Sequence, residues 1–430
     1  MIGRLSQRVS RPALLVGSVV TLLVLSQLFP LAWPLGRIFQ GAILGAASGL
    51  LALGLVLVYR TARVINFAYG AMGSCAAQVG IVCYEVYGLP WLACVFIALL
   101  AGAATGAAAA PAPARSRNPP RLVVTVATIG LLQVLIGLQF GIAFWTGARV
   151  IVAPFATGLS ETSFTVGTSV FNLNDALLLA VVPVAVIGLS GFLLRTDAGK
   201  AVRAIADNSE RAALLGIPTH RLTRIVWILA GSLAGVVLML AAPANGLPAS
   251  PFVSVGGIFM PALAAAVIAK MEDLPVAFAS GVGLGIFNAI VSNNVRKASV
   301  STVALLVIIL LALLVRKWST SRAEAAESSW SLSGTYRPLP PEIAELPEVR
   351  VGRAGILAFL GVLAVAFPFL APPDRIHTVA GYLILGLAVI SLVILSGWAG
   401  TVSLGQFSIV GVGGVVGGQL IAELNLDLFL

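Results

Sequence analysis

Long apolar runs separated by short polar or basic stretches fill most of this chain. A helix needs about twenty apolar residues to cross the hydrocarbon core of a bilayer. Backbone groups find no water there, so a spanning segment is either a helix or a strand of a closed barrel. These runs are continuous rather than alternating over segments of about ten residues, which predicts helices and excludes a barrel. Predicted spans lie at roughly 38–58, 67–86, 89–110, 122–145, 175–194, 225–242, 253–270, 275–294 and 299–315. Ahead of them, Arg4, Arg8 and Arg11 precede an apolar run from Ala13 to about Trp33 that is longer than a signal-peptide core. Residues 1–37 therefore read as an anchor helix with a cytoplasmic N-terminus. Apolar runs resume at about 354–371, 378–396 and 404–422. The fold class is all-α: a polytopic helical membrane protein of about 10 spans, then about 3 spans of a second, incomplete repeat.

Two polar stretches interrupt this pattern. Residues 195–224 carry six Lys or Arg (Arg195, Lys200, Arg203, Arg211, Arg221, Arg224) against three acids (Asp197, Asp207, Glu210), so the stretch must fold on an aqueous surface. Its helix signals are explicit. Asp197 is placed to cap a helix to about Ala206, Asp207 with Glu210 resembles a capping box for a second short helix, and Gly216 followed by Pro218 stops it. The second helix is expected to present Ala212, Ala213 and Leu215 beside Glu210 and Arg211. Such a knob suits a groove in a partner protein or a bed of lipid headgroups. The other stretch, 317–350, is rich in Ser, Glu and Pro and reads as a cytoplasmic linker.

Composition and charge narrow the class. The 430 residues are 59% hydrophobic and 10% charged, whereas about a quarter of a soluble domain is charged. A net charge of +10 would suggest nucleic acid if the basic residues shared one soluble face. Instead they sit in short loops beside spans. Arg60 and Arg63, then Arg115, Arg117 and Arg121, then the 195–224 loop, then Arg316 and Lys317 all fall on the predicted cytoplasmic side. The 146–174 loop opposite carries Arg149 alone, and only Arg296 and Lys297 break the rule. This positive-inside pattern reports orientation and contact with anionic lipid, not a nucleic-acid partner. Cys75, Cys83 and Cys94 lie in or beside spans without metal-ligand spacing, and His220 and His377 are the only histidines, so no metal centre or disulfide is expected.

The chain also resembles itself at an offset of 337 residues. Leu51–Gly70 aligns with Ala388–Phe407 as an apolar helix, a break at Tyr59–Arg63 or Ser396–Gly400, and a new helix start of small and polar residues. Two related transport units joined in parallel by the linker account for this; the alternative is chance likeness between apolar segments.

Arg63-Val64-Ile65-Asn66-Phe67-Ala68-Tyr69-Gly70 resembles the R-x-I-N-F-A-H-G signature of branched-chain amino-acid permeases, with Tyr69 at the usual His. Gly397 to Gln406 resembles the G-x-x-G-x-x-S-L-G-x segment of the sister permease in that family. Glu210 to Gly216 resembles the E-A-A-x-x-x-G loop of binding-protein-dependent ABC importers, with Arg211 in the second place. The resemblance covers 38–316 as one complete permease and 351–430 as the beginning of its sister. It implies the permease subunit of an ATP-driven importer for branched-chain amino acids or a related small zwitterionic or amide solute such as urea. The implied partners are two ABC ATPase subunits, an extracytoplasmic solute-binding protein and a second permease unit, within a bacterial inner membrane. Residues 195–224 would form the coupling loop, its coupling residues Glu210, Arg211, Ala212, Ala213 and Gly216, with Glu210 and Arg211 facing the ATPase and Gly216 allowing the sharp exit. No G-x-x-x-x-G-K-[S/T] phosphate loop occurs, since Gly199-Lys200-Ala201 lacks the earlier Gly and the hydroxyl. ATP and Mg are thus expected on a separate chain, and no catalytic residue is assigned here.

Polar residues within spans are candidates for a solute pathway, weighed against helix packing. Asn66, at a helix start beside a break, could offer its amide and the helix N-terminal N–H groups to a substrate carboxylate. Tyr69 beside it, with Ser403 and Gln406 in the second copy, completes the candidate set. Gln133, Gln139, Asn245 and Asn288 are assigned to helix packing first, and the Gly- and Ala-rich stretches 42–54, 98–110 and 405–418 predict close helix approach. A secondary transporter or channel not driven by ATP is the rival reading, yet no Asp, Glu, Lys or Arg lies clearly mid-span to couple an ion. A membrane-embedded enzyme would need a nucleophile–base pair or metal ligands in the spans, and none is evident.

Overall fold

The computed structural model describes residues 34–110, 121–149, 154–167, 169–247, 259–295, 298–315, 346–398 and 406–424. Two compact units, Met1–Ser319 and Thr320–Leu430, make up the chain. The first contains α1 (Leu35–Ala62), α2 (Tyr69–Glu85), α3 (Trp91–Ala109), α4 (Arg121–Thr146), β1 (Ser163–Val166), β2 (Ser169–Asn172), α5 (Leu173–Arg195), α6 (Asp197–Asp207), α7 (Ser209–Leu214), α8 (Thr219–Asn245), α9 (Phe259–Ile268), α10 (Leu274–Asn294) and α11 (Ala298–Val315). The second contains α12 (Pro347–Leu370), α13 (Pro373–Trp398) and α14 (Gln406–Leu424). Seven helices among the described residues are long and apolar enough to cross a membrane, and the protein is a polytopic helical membrane protein.

Each predicted span that falls on described residues is a helix. The anchor run 13–33 and residues 317–345 lie outside the described residues. The linker boundary at 350 shifts, because Pro347 opens α12. A proline is suited to the first helical turn, where its missing N–H has no partner to lose. The loop 146–174 is more ordered than its polarity suggests. Ser-Phe-Thr-Val and Ser-Val-Phe-Asn pair antiparallel, Phe164 facing Phe171 with ring centroids 5.7 Å apart, and Gly167 at φ +63° makes the turn. Asn172 then opens α5 with a reciprocal capping box: its Oδ1 accepts from the Asp175 N–H and Asp175 accepts from the Asn172 N–H.

Buried along almost its whole length, α1 is the hub of the first unit and packs chiefly on α10. Lipid is as apolar as leucine, so helices in a membrane associate through close packing rather than through escape from water. Gly41, Gly45 and Gly49 recur every fourth residue and so share one face of α1. They meet Gly281 and Gly285 of α10: a Cβ on Gly41 would stand 2.7 Å from Ala289 Cβ, and one on Gly45 2.7 Å from Val282 O. Gly102 and Gly106 of α3 form a second seam with Trp227 and Gly231 of α8. Both seams fall in or beside the Gly- and Ala-rich stretches read from the sequence.

The second unit is described as the three helices α12, α13 and α14. Its helices carry exposed apolar side chains throughout, among them Leu357, Val362, Leu383 and Val412.

Candidate functional site

The polar stretch 195–224 forms two short helices with caps one residue later or earlier than the sequence suggests. Thr196, not Asp197, caps α6, its hydroxyl accepting from the Gly199 N–H at 2.9 Å. Asp197 is instead the first helical residue and pairs with Lys200 at 2.9 Å on the surface. Asp207 ends α6, and Asn208 caps α7 by accepting from the Arg211 N–H at 2.9 Å. That register makes Glu210 the second helical residue, one short of the position a capping box requires. The stop falls where the sequence places it. Gly216 sits at φ +80°, its N–H donating to Ala213 O (3.0 Å) and the Ile217 N–H to Ala212 O (3.1 Å). This pair of bonds is the Schellman arrangement, which glycine adopts without steric cost.

Amphipathicity fixes where α6 lies. Gly199, Val202, Ile205 and Ala206 are buried, whereas Lys200 and Arg203 are exposed. A Cβ on Gly199 would stand 2.7 Å from Leu193 Cα, so α6 rests directly on the last turn of α5. The knob on α7 is turned relative to expectation: Ala212 is buried, while Arg211, Ala213, Leu214 and Leu215 are exposed, the two leucines 87% and 81%. The side chain of Glu210 lies outside the described residues. Leu214, which the sequence reading did not place on the knob, is the last residue of the six-residue α7, and Leu215 is its C-cap.

The signature Arg63–Gly70 occupies the break between α1 and α2. Arg63 closes α1 in a left-handed conformation, φ +53°, its N–H on Tyr59 O at 2.7 Å. Its guanidinium donates to Ala206 O at 2.9 Å. That carbonyl belongs to the last turn of α6, where backbone acceptors lack helical partners and the helix end is partially negative. The sequence used Arg63 for orientation and signature; nothing local announces a bond to a residue 143 positions away. Asn66 is buried, with Oδ1 accepting from the Ala68 N–H at 3.0 Å and Nδ2 3.4 Å from Met72 Sδ. The Phe67 N–H donates to Thr128 Oγ1 of α4 at 3.2 Å. Tyr69 is fully buried, its hydroxyl against Gly54 and without a hydrogen-bond partner among the described residues. Asn66 and Tyr69 therefore sit inside a joint between helices. Ser403 lies outside the described residues, as does the side chain of Gln406.

A buried hydroxyl without a partner costs about 1–3 kcal/mol. Tyr69→Phe is therefore expected to raise the thermal midpoint of the detergent-solubilised chain, by an amount corresponding to about 1 kcal/mol. A lowered midpoint would show that the hydroxyl has a partner in solution.

Of the other polar span residues, Gln139 is fully buried and accepts from Ser74 Oγ at 2.6 Å, a helix-packing role. Asn288 instead joins Arg37, Gln40, Ser48, Ser292 and Asn293 around a cavity of about 250 Å³ between the start of α1 and the end of α10. Arg37 lends this cavity a cation, held to Gln40 Oε1 at 2.9 Å. It lies at the opposite end of α1 from Arg63.

Residues 37–313 match the family model described as the branched-chain amino acid transport system permease component. The high-affinity branched-chain amino acid transport system permease protein LivH of Salmonella typhimurium is 29% identical over 294 residues, 64% of this chain and 92% of the relative. The probable branched-chain amino acid transport permease protein LivH of Methanocaldococcus jannaschii is 28% identical over 271 residues, 61% of this chain and 82% of the relative. An autoinducer 2 import system permease protein, LsrC of an Enterobacter species, is 30% identical over 227 residues, 52% of this chain and 61% of the relative.

Proposed function

This chain belongs to the family of branched-chain amino acid transport system permease components, and we propose that it is the membrane-spanning subunit of an ATP-driven importer for branched-chain amino acids or a similar small zwitterionic solute. The ATP-hydrolysing site is on separate ATPase subunits, a solute-binding protein delivers cargo on the outer side, and a further permease unit completes the pathway. The multi-pass chain sits in the inner membrane with the 195–224 loop in the cytoplasm.

The observation that carries this reading is the α6–α7 protrusion. Two capped helices, ended by the Gly216 turn, leave Leu214 and Leu215 exposed side by side, an apolar patch suited to a partner's groove. Exposed Ala213 extends the apolar patch and exposed Arg211 stands beside it as a cation, a combination found at protein-binding patches. Its base rests on α5 through Gly199 and on α1 through Arg63, so a push from a closing ATPase reaches two spans as a rigid movement. The cavity at Arg37 and Asn288 opens at the other end of α1, where an incoming solute would arrive.

Leu214→Asp with Leu215→Asp, or Gly216→Arg, is expected to abolish copurification of the ATPase and solute uptake while leaving membrane insertion and the elution profile of the purified chain unchanged. Burying a single unpaired carboxylate in such a contact costs several kcal/mol, enough to reduce association by roughly a thousandfold. Normal ATPase association in these variants would remove the coupling assignment. Uptake by the purified chain in vesicles with no ATPase present would favour an ATP-independent transporter or channel instead.

A further inference from the structure

A second cavity, about 210 Å³, lies between α6 and the ends of α1, α5 and α10. Leu57, Leu193, Leu194 and Pro275 give it apolar walls, and Arg60 and Arg203 bring two guanidinium groups to it. Neither arginine has an ion pair or hydrogen bond among the described residues. Arg60 is in the last turn of a membrane span and Arg203 on the polar face of a helix lying across the bundle end, so the cavity stands at the level where hydrocarbon gives way to headgroups. Val184, Ile187 and Leu194 of α5, spaced three and seven residues apart, are 60–71% exposed. They form one apolar stripe that runs along the span directly into the cavity wall.

We propose that this cavity holds the headgroup of one anionic phospholipid, with Arg60 and Arg203 binding the phosphate and the Val184–Ile187–Leu194 stripe supporting an acyl chain. A free anion would explain the arginines but would leave the apolar walls and the stripe without a role. A zwitterionic lipid would satisfy the stripe but would bring its own ammonium beside the two guanidinium groups, a like-charge repulsion that an anionic headgroup avoids. Basic pockets on the cytoplasmic side of membrane bundles take anionic headgroups for this reason, each basic contact contributing about a fivefold gain in affinity. The bound lipid would fill the space beneath α6 and brace it against the bundle. The proposal depends on the bundle spanning a membrane and not on which solute the protein carries or on whether an ATPase drives it.

The test is native mass spectrometry of the full chain released from detergent with added phosphatidylglycerol or phosphatidylcholine of identical acyl chains. One phosphatidylglycerol is expected to be retained per chain, well above the retention of phosphatidylcholine. Arg60→Gln with Arg203→Gln should lower the affinity for phosphatidylglycerol to near that of phosphatidylcholine, about thirtyfold for two lost contacts. Arg203→Gln alone, at an exposed position that cannot disturb folding, should give part of that loss. Inorganic phosphate at millimolar concentration should neither displace the lipid nor protect the chain against heat. Equal retention of the two lipids, unchanged retention in the double variant, or full displacement by phosphate overturns the proposal.

Discussion

Gly285→Val is expected to prevent recovery of a folded, monodisperse chain from detergent. A Cβ on Gly285 lands on the backbone of α1 at Gly45, and Gly41 O and Gly45 N flank it at 2.5 Å. Backbone atoms cannot rotate aside as a side chain would, so α1 and α10 must separate by more than an ångström along their shared seam. Overpacking a well-fitted interior costs about 1–3 kcal/mol when neighbours can shift, and here they are fixed in two helices. Moreover α1 is buried on nearly all sides, so its displacement carries into the contacts with α8, α9 and α5. Gly283→Val supplies the control: it lies on the same helix two residues earlier, with open space around its Cβ. Its elution profile and thermal midpoint should match the unaltered chain. Similar behaviour for both variants would mean that the α1–α10 seam is not as close as the structure has it.

The helices were legible in the sequence because lipid imposes one strong constraint, namely that a span satisfy its own backbone. Length and hydropathy therefore place α1, α5, α10 and their neighbours without reference to tertiary contacts. The seams were legible in kind, since glycines repeating every fourth residue leave room for another helix, but the partner of each was not: nothing in Gly41–Gly49 names Gly281 and Gly285. Caps resisted the reading for a different reason. Thr196, Asp197, Asp207 and Asn208 are all competent capping residues, and only the backbone conformation at 196 and 208, both extended, decides between them. Asn66 shows the limit at the candidate site. A polar residue at a helix break can face a ligand or fasten the break itself, and the two uses share one sequence signal. The structure has its amide engaged with Ala68 and Met72.

Arg63→Gly is expected to separate transport from stability more sharply than any other single change. In the folded chain Arg63 holds a left-handed backbone that costs a non-glycine residue about 1 kcal/mol or more, and glycine adopts it freely. Removing the side chain also removes the bond to Ala206 O, a hydrogen bond from a charged donor worth about 1.5–3 kcal/mol. The two effects oppose each other in stability, so the thermal midpoint should change little. They do not oppose each other in coupling. The guanidinium is the hydrogen bond joining the α1–α2 break to the α6 end, and through the break it reaches Thr128 of α4 and the buried Tyr69. Without it α6 is held to α1, α5 and α8 by packing, with no guanidinium bond to the break, and about 2 kcal/mol of linkage corresponds to roughly a thirtyfold shift between two arrangements of the bundle. In the importer proposed above, solute uptake should therefore fall by about an order of magnitude or more while ATP hydrolysis and ATPase copurification persist. Arg63→Lys keeps a charge but cannot reproduce the guanidinium geometry, so it should restore part of the uptake. Uptake unchanged in Arg63→Gly would show that the bond to Ala206 serves only to close the break. A large fall in thermal midpoint would show that the backbone at 63 is less strained than its φ of 53° indicates.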